Sequence, residues 1–103
     1  MFQNNNFNSI SVHDLDGKLN KINLIDIREE YEYADGHVPT AKNIPMGELN
    51  AQPEKYLDKS KEYYIICQTG IRSASTCENL AAKGYKVINV SGGTGAYILP
   101  LER

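Results

Sequence analysis

Residues 63–90 read YYIICQTGIRSASTCENLAAKGYKVINV, and this stretch decides the fold. Its two ends, Tyr63-Tyr-Ile-Ile66 and Lys86-Val-Ile-Asn-Val90, are short, apolar and rich in β-branched and aromatic side chains, the pattern of buried strands. Between them Ala74, Cys77 and Ala81 recur at i, i+3 and i+7, with Leu80 on the same side. Gly84 stands where a helix ends in left-handed backbone, so the spacing predicts an amphipathic helix over Ser73–Lys83. Strand, helix, strand in so short a span is a βαβ unit. It requires parallel strands and a right-handed crossover.

Working outward, Asn23-Leu-Ile-Asp-Ile27 reads as a third buried strand. Ile10–Val12 and Ala41–Ile44 read as edge strands, the second ended by Pro45. Glu29–Ala34 and Pro53–Asp58 suggest short helices, and Val12, Leu15 and Leu19 share the face of another. The expected architecture is α/β: a mostly parallel central sheet of about five strands with helices on both faces. Residues 1–9 are uncharged and Asn-rich, and are expected to be frayed or weakly docked. The polar run Glu48–Glu62 reads as a solvated face.

Composition narrows the function classes. The 103 residues suit one domain over 1–103, with 41% hydrophobic and 23% charged residues arguing against disorder. A net charge of −2 gives no reason to expect nucleic acid or a membrane surface as partner. No apolar run approaches the ~18 residues a membrane span needs. The opening MFQNNNFNS has neither a basic segment nor an apolar one, so no export signal is expected. With two cysteines only, the expected compartment is a reducing cytoplasm. Two histidines and two cysteines without paired spacing predict no metal site, and no cofactor is called for. Gly93-Thr-Gly95 reads as a turn that opens a helix rather than a dinucleotide-binding loop.

In parallel sheets, ligands bind beyond the carboxyl ends of the strands. Asp26–Glu30, Cys67–Ser73 and Ser91–Gly95 all leave those ends, and would share one rim. The second of these, Cys67-Gln-Thr-Gly-Ile-Arg-Ser73, carries the chemistry. A thiol ends a buried strand, Gly70 lets the loop curl so that N–H groups point inward, and Arg72 opens the following helix. Helix dipole and guanidinium both favour a thiolate at Cys67 over an inert core thiol. The same ring would hold an anionic sulfur or oxyanion. Cys77, on the apolar side of the helix, reads as core packing rather than as a resolving thiol.

Three ordered motifs resemble those of the small single-domain rhodaneses. Leu24-Ile-Asp-Ile-Arg-Glu-Glu-Tyr-Glu-Tyr-Ala-Asp-Gly-His-Val-Pro-Thr-Ala-Lys-Asn-Ile-Pro45 is similar to the family's first signature block. Cys67–Ser73 is similar to its active-site loop, and Val90-Ser-Gly-Gly93 to its last strand and turn. The likeness runs from about Ile10 to Tyr97. It implies a sulfurtransferase in which the Cys67 thiolate takes the outer sulfur of a donor as a persulfide and passes it on, with ping-pong kinetics. Cys67 and Arg72 are then the catalytic residues, and Gln68, Thr69, Gly70, Ile71 and Ser73 line the sulfur and substrate site. The implied partners are a small donor (thiosulfate or a low-molecular-weight persulfide) or a protein persulfide, and a thiol acceptor. Thr40 departs from a common glycine and Tyr97 from a common tryptophan, which bears on pocket depth and donor choice.

Asp26 and Arg28 are expected to fix neighbouring loops, and His37 to tie its turn together; Arg28 and His37 rank as supporting residues only. Two other functions fit parts of the pattern. A cysteine-dependent phosphatase or arsenate reductase also needs a Cys-to-Arg anion loop, but one residue longer than the four that separate Cys67 from Arg72. A rhodanese-like module can also serve only to bind a partner, and Cys67 argues against that. Because the loop's one formal charge is Arg72, a persulfide donor is favoured over dianionic thiosulfate.

Overall fold

The computed structural model describes residues 7–103. Five strands form one sheet: β1 (Asn8–Ser11), β2 (Leu24–Asp26), β3 (Lys42–Asn43), β4 (Glu62–Ile66) and β5 (Lys86–Ser91). Their order is β1-β5-β4-β2-β3, and every pairing is parallel, with Leu24 beside Tyr64 and Tyr64 beside Ile88. The helices are α1 (Glu30–Asp35), α2 (Met46–Ala51), α3 (Pro53–Tyr56), α4 (Ile71–Ala82) and α5 (Gly93–Ala96). No helix among the described residues is long and apolar enough to cross a membrane.

Alternate residues of each central strand enter opposite cores, as the period-two geometry of a strand demands. Ile25, Tyr63 and Ile65 join Leu49, Leu57 and Leu80 on the face covered by α2, α3 and α4. Leu24, Ile66 and Val90 meet Val12, Leu15 and Val38 on the other. Cys77 lies buried in the first core, where burial, then the nearby Cys67 charge, push its thiol up to about 12. Cys77→Ala is therefore expected to leave sulfur chemistry within about twofold of the wild type while costing roughly 1 kcal/mol in a small cavity, read by denaturant midpoint.

The βαβ unit forms as the sequence predicts, with one shift. Helix α4 begins at Ile71, two residues before the expected Ser73, and its N-cap is Gly70 at φ +102°. The C-terminus closes through Gly84 at φ +95°: Gly84 N–H donates to Ala81 O at 3.0 Å and Tyr85 N–H to Leu80 O at 3.1 Å. That paired closure satisfies two of the helix's orphan carbonyls.

Other expectations need correction. Residues 1–6 lie outside the described residues, but Asn8 and Ser9 are not frayed: they pair with Ile88 and Asn89 in β1. β1 ends at Ser11, and Val12 instead opens a 3₁₀ turn, Val12–Leu15, with a second at Leu19–Lys21. Gly17 at φ +82° separates the two, so Val12, Leu15 and Leu19 share no single helix. The run Ala41–Ile44 is strand only over Lys42–Asn43, with Ile44 N–H still donating to Asp26 O, Glu29–Ala34 is shifted to Glu30–Asp35, and Pro53–Asp58 stops at Tyr56. Glu48–Glu62 is not merely a solvated face. It carries buried Leu49, Pro53 and Leu57, and α2 arises there although Gly47 and Asn50 are poor helix formers. Burial of Leu49 and the bond from Met46 N–H to Ile27 O (2.9 Å) hold that helix in place.

Candidate active site

The carboxyl ends of β2, β4 and β5 do meet on one rim. Cys67 follows β4 directly and its side chain is fully buried. Its Sγ accepts Gly70 N–H at 3.1 Å and Ser73 N–H at 3.3 Å, and lies 3.3 Å from Ser73 Oγ. The N-cap of α4, Gly70, has no side chain with which to cap the helix, and Ser73 is the third helical residue. Its N–H is one of the donors a helix start leaves open, and the sulfur fills it.

Burial alone would push the Cys67 thiol up. The Ser73 hydroxyl and the N–H groups of Ser73, Gly70 and Thr69 outweigh it, and hold Cys67 below the ordinary thiol value. The fully buried sulfur is thus set among donors that favour its anion. Between the folded and unfolded values the unfolded chain carries the extra proton, so the stability contributed by Cys67 rises with pH across that window and is lost as pH falls through the folded value. Cys77 acts oppositely: above about pH 8.5 the unfolded thiol ionises first, and stability falls. Ser73→Ala is expected to move the midpoint of Cys67 alkylation upward, towards that of a free cysteine, with the fold kept. A midpoint that stays in place would assign the lowering to the backbone donors alone.

A second loop clamps the first. After β5, Thr94 N–H donates to Cys67 O and Gly95 N–H to Gln68 O, both at 2.9 Å. Gly93 sits at φ +62°, where a Cβ would collide with the Cys67 and Gln68 carbonyl oxygens. Ser91–Gly95 lies on the rim as the sequence predicts, and Gly93-Thr-Gly95 opens a helix, α5; the clamp on Cys67 is a contact the sequence reading does not contain. Its signal is the pair of flexible glycines, Gly92 and Gly93, directly after a strand.

The supporting residues fall as follows. Arg28 is buried, and its guanidinium forks onto Asp26 at 2.9–3.2 Å while donating to Gly36 O (2.7 Å) and Gln68 Oε1 (3.1 Å). It positions Gln68 rather than touching the sulfur. His37 stacks on the Tyr33 ring at 3.7 Å between centroids, its Nδ1 lies 2.9 Å from Tyr33 O, and its backbone pairs with Glu102. These contacts tie the turn together and do not run to the Cys67 loop. Thr40 occupies left-handed backbone at φ +75°, the conformation a glycine there would supply without strain.

Arg72 does not touch Sγ. Its guanidinium forks onto Glu32 of α1 at 3.2 and 3.3 Å, and is 38% exposed. Each partner favours the other's charge: Arg72 holds Glu32 below the usual carboxylate range, and Glu32 raises Arg72 further. Arg72 also feels the Cys67 charge through space. In the sequence Glu32 stands only inside the expected Glu29–Ala34 helix; in the structure it closes a capping box with Glu29, its Oε1 accepting Glu29 N–H at 2.9 Å. Nothing local announces its second role. Gln68, Thr69, Gly70, Ile71 and Ser73 form the loop around the sulfur, with Gln68, Thr69 and Ile71 exposed and Gly70 and Ser73 buried.

This all-parallel sheet, with its cysteine loop at the carboxyl rim, defines a class. The chain matches the family model of the Rhodanese-like domain over residues 11–99, and it belongs to that family. It is 47% identical over 76 residues to the protein named "Putative sulfurtransferase YtwF" of Bacillus subtilis (strain 168), a match covering 72% of this chain and 71% of that one. It is 32% identical over 77 residues to "Thiosulfate sulfurtransferase GlpE" of Coxiella burnetii (strain RSA 493 / Nine Mile phase I), covering 74% and 71%. The crystal structure of a rhodanese-like domain protein from Staphylococcus aureus superposes with a TM-score of 0.83 at 36% identity, over 93% of this chain and 97% of that one.

Proposed function

We propose that this chain is a sulfurtransferase that carries a sulfane sulfur on Cys67. The observation that carries the reading is the ring of donors from Gly70 and Ser73 on a single cysteine sulfur at the sheet's carboxyl rim. The thiolate attacks the outer sulfur of the donor. A new S–S bond forms to Sγ, the donor's own bond to that sulfur breaks, and the pair of electrons leaves with the remainder: sulfite from thiosulfate, a thiolate from a persulfide. The terminal sulfur of Cys67–S–S⁻ then inherits an anion site built from backbone N–H groups. A thiol or other thiophile takes it and returns the Cys67 thiolate.

In this reading Gln68, Thr69 and Ile71 shape the approach, Arg72 supplies through-space positive charge, and no metal or cofactor takes part. Cys67 needs to stay reduced between cycles, which suits a reducing cytoplasm. The test is intact mass spectrometry after incubation with thiosulfate or a persulfide donor. One added sulfur on the wild type, removed again by a thiol or cyanide, is the expected result. A chain that never gains sulfur from any donor is left as a binding module.

A further inference from the structure

An open cleft of about 420 Å³, lined by Arg28, Tyr31, Glu32, Asp35 and Gln68, borders the Cys67 loop at Gln68. Its surface is unusual in two respects. Tyr31 is 76% exposed and Ile71 77% exposed, and each directly precedes one member of the Glu32–Arg72 pair that bridges α1 to the start of α4. Each end of that bridge therefore has a large, exposed apolar residue next to it in the chain, while Cys67 in the same loop as Ile71 is fully buried. Large apolar groups left in water at a site are surface a partner can cover.

Charge is the second respect. Both arginines here are already matched, Arg28 by Asp26 and Arg72 by Glu32. Glu29, Glu30 and Asp35 are exposed on and beside α1, and none forms a salt bridge among the described residues. A dianion such as thiosulfate meets no uncommitted cation on this approach, and it meets carboxylates instead. A basic surface meets the complementary field.

We infer that the sulfur partner of this site is a protein whose persulfide-bearing cysteine stands among basic and apolar side chains, docking on Tyr31, Ile71 and the carboxylates of α1. The inference rests on the sulfur-transfer reading and names its substrate class. In the step, the Cys67 thiolate attacks the terminal sulfur of the partner's Cys–S–SH. The partner's S–S bond breaks with its electron pair going to the partner's cysteine sulfur, and the persulfide proton passes to that thiolate. The products are Cys67–S–S⁻ and a partner thiol, with no net oxidation.

The experiment measures the rate of sulfur loading on Cys67 by intact mass, with three probes: thiosulfate and two persulfidated cysteine peptides that share a leucine beside the cysteine and differ in flanking lysines or flanking glutamates. At low salt the lysine peptide is expected to load at least about tenfold faster than the glutamate peptide, and the gap to shrink as salt rises. Glu30→Lys with Asp35→Lys should narrow or invert that preference. Glu30→Gln with Asp35→Asn, gentler on the fold, should narrow it. Tyr31→Ser should slow both peptides and leave thiosulfate unaffected. Equal rates for the two peptides, a faster glutamate peptide, or thiosulfate outpacing the lysine peptide would overturn the docking inference while sulfur transfer itself stands. No loading from any of the three would remove both.

Discussion

Cys67→Ser is expected to lower sulfur transfer by more than about a thousandfold, because a serine hydroxyl is not ionised by this loop and forms no persulfide. The structure makes this a clean test. Cys67 Sγ also accepts the N–H groups of Gly70 and Ser73 at the start of α4, and a hydroxyl oxygen is a good acceptor for that purpose. The variant should therefore fold, with its thermal midpoint close to that of the wild type. Loss of activity then reports chemistry, not collapse. Turnover within about tenfold of the wild type, or sulfur gained on any other residue, would sink the proposed nucleophile.

Asp26→Ala should have the largest effect on stability. Asp26 is fully buried at the end of β2, and it is the carboxylate on which buried Arg28 forks. Removing it leaves a guanidinium out of water without a counter-charge, at a cost of about 3–5 kcal/mol, which is a large part of what a domain of this size has. Arg28 would also lose the anchor that aims it at Gln68 and Gly36, so the Cys67 loop should load sulfur more slowly even where the fold survives. Urea unfolding followed alongside mass-detected loading separates the two effects. A loss of less than about 1 kcal/mol would mean that Arg28 finds water or another carboxylate.

The contrast between what the sequence revealed and what it hid follows the reach of each interaction. The unit from Tyr63 to Val90 was legible because its signals are local: apolar strand cores, a helical spacing of small residues, and Gly84 at the stop. Cys67 was legible for the same reason, since thiol, glycine and helix start fall within one loop. The source of its lowered pKa was less so. Arg72 lies close in sequence yet spends its guanidinium on Glu32, forty residues away, while the nearest donors are the Ser73 hydroxyl and backbone N–H groups. The Thr94 clamp, the α2 helix with its Gly47, and the pairing of Asn8 with Ile88 each depend on contacts that no short window contains.

That last pairing has a consequence for how the protein is made. β1 adds to the edge of the sheet only through β5, with Ile10 opposite Val90. During synthesis β1 therefore waits for a partner about 80 residues later, which at roughly 5–20 residues per second is about 4–16 s. Over that interval Ile10 and the buried faces of Val12 and Leu15 have no β5 to pack beside. The core strands β2 and β4 can pair while translation continues, but the sheet closes last at the edge that was synthesised first. The chain should thus show a late, single gain of protease resistance once β5 is free to pair with β1, rather than a gradual one.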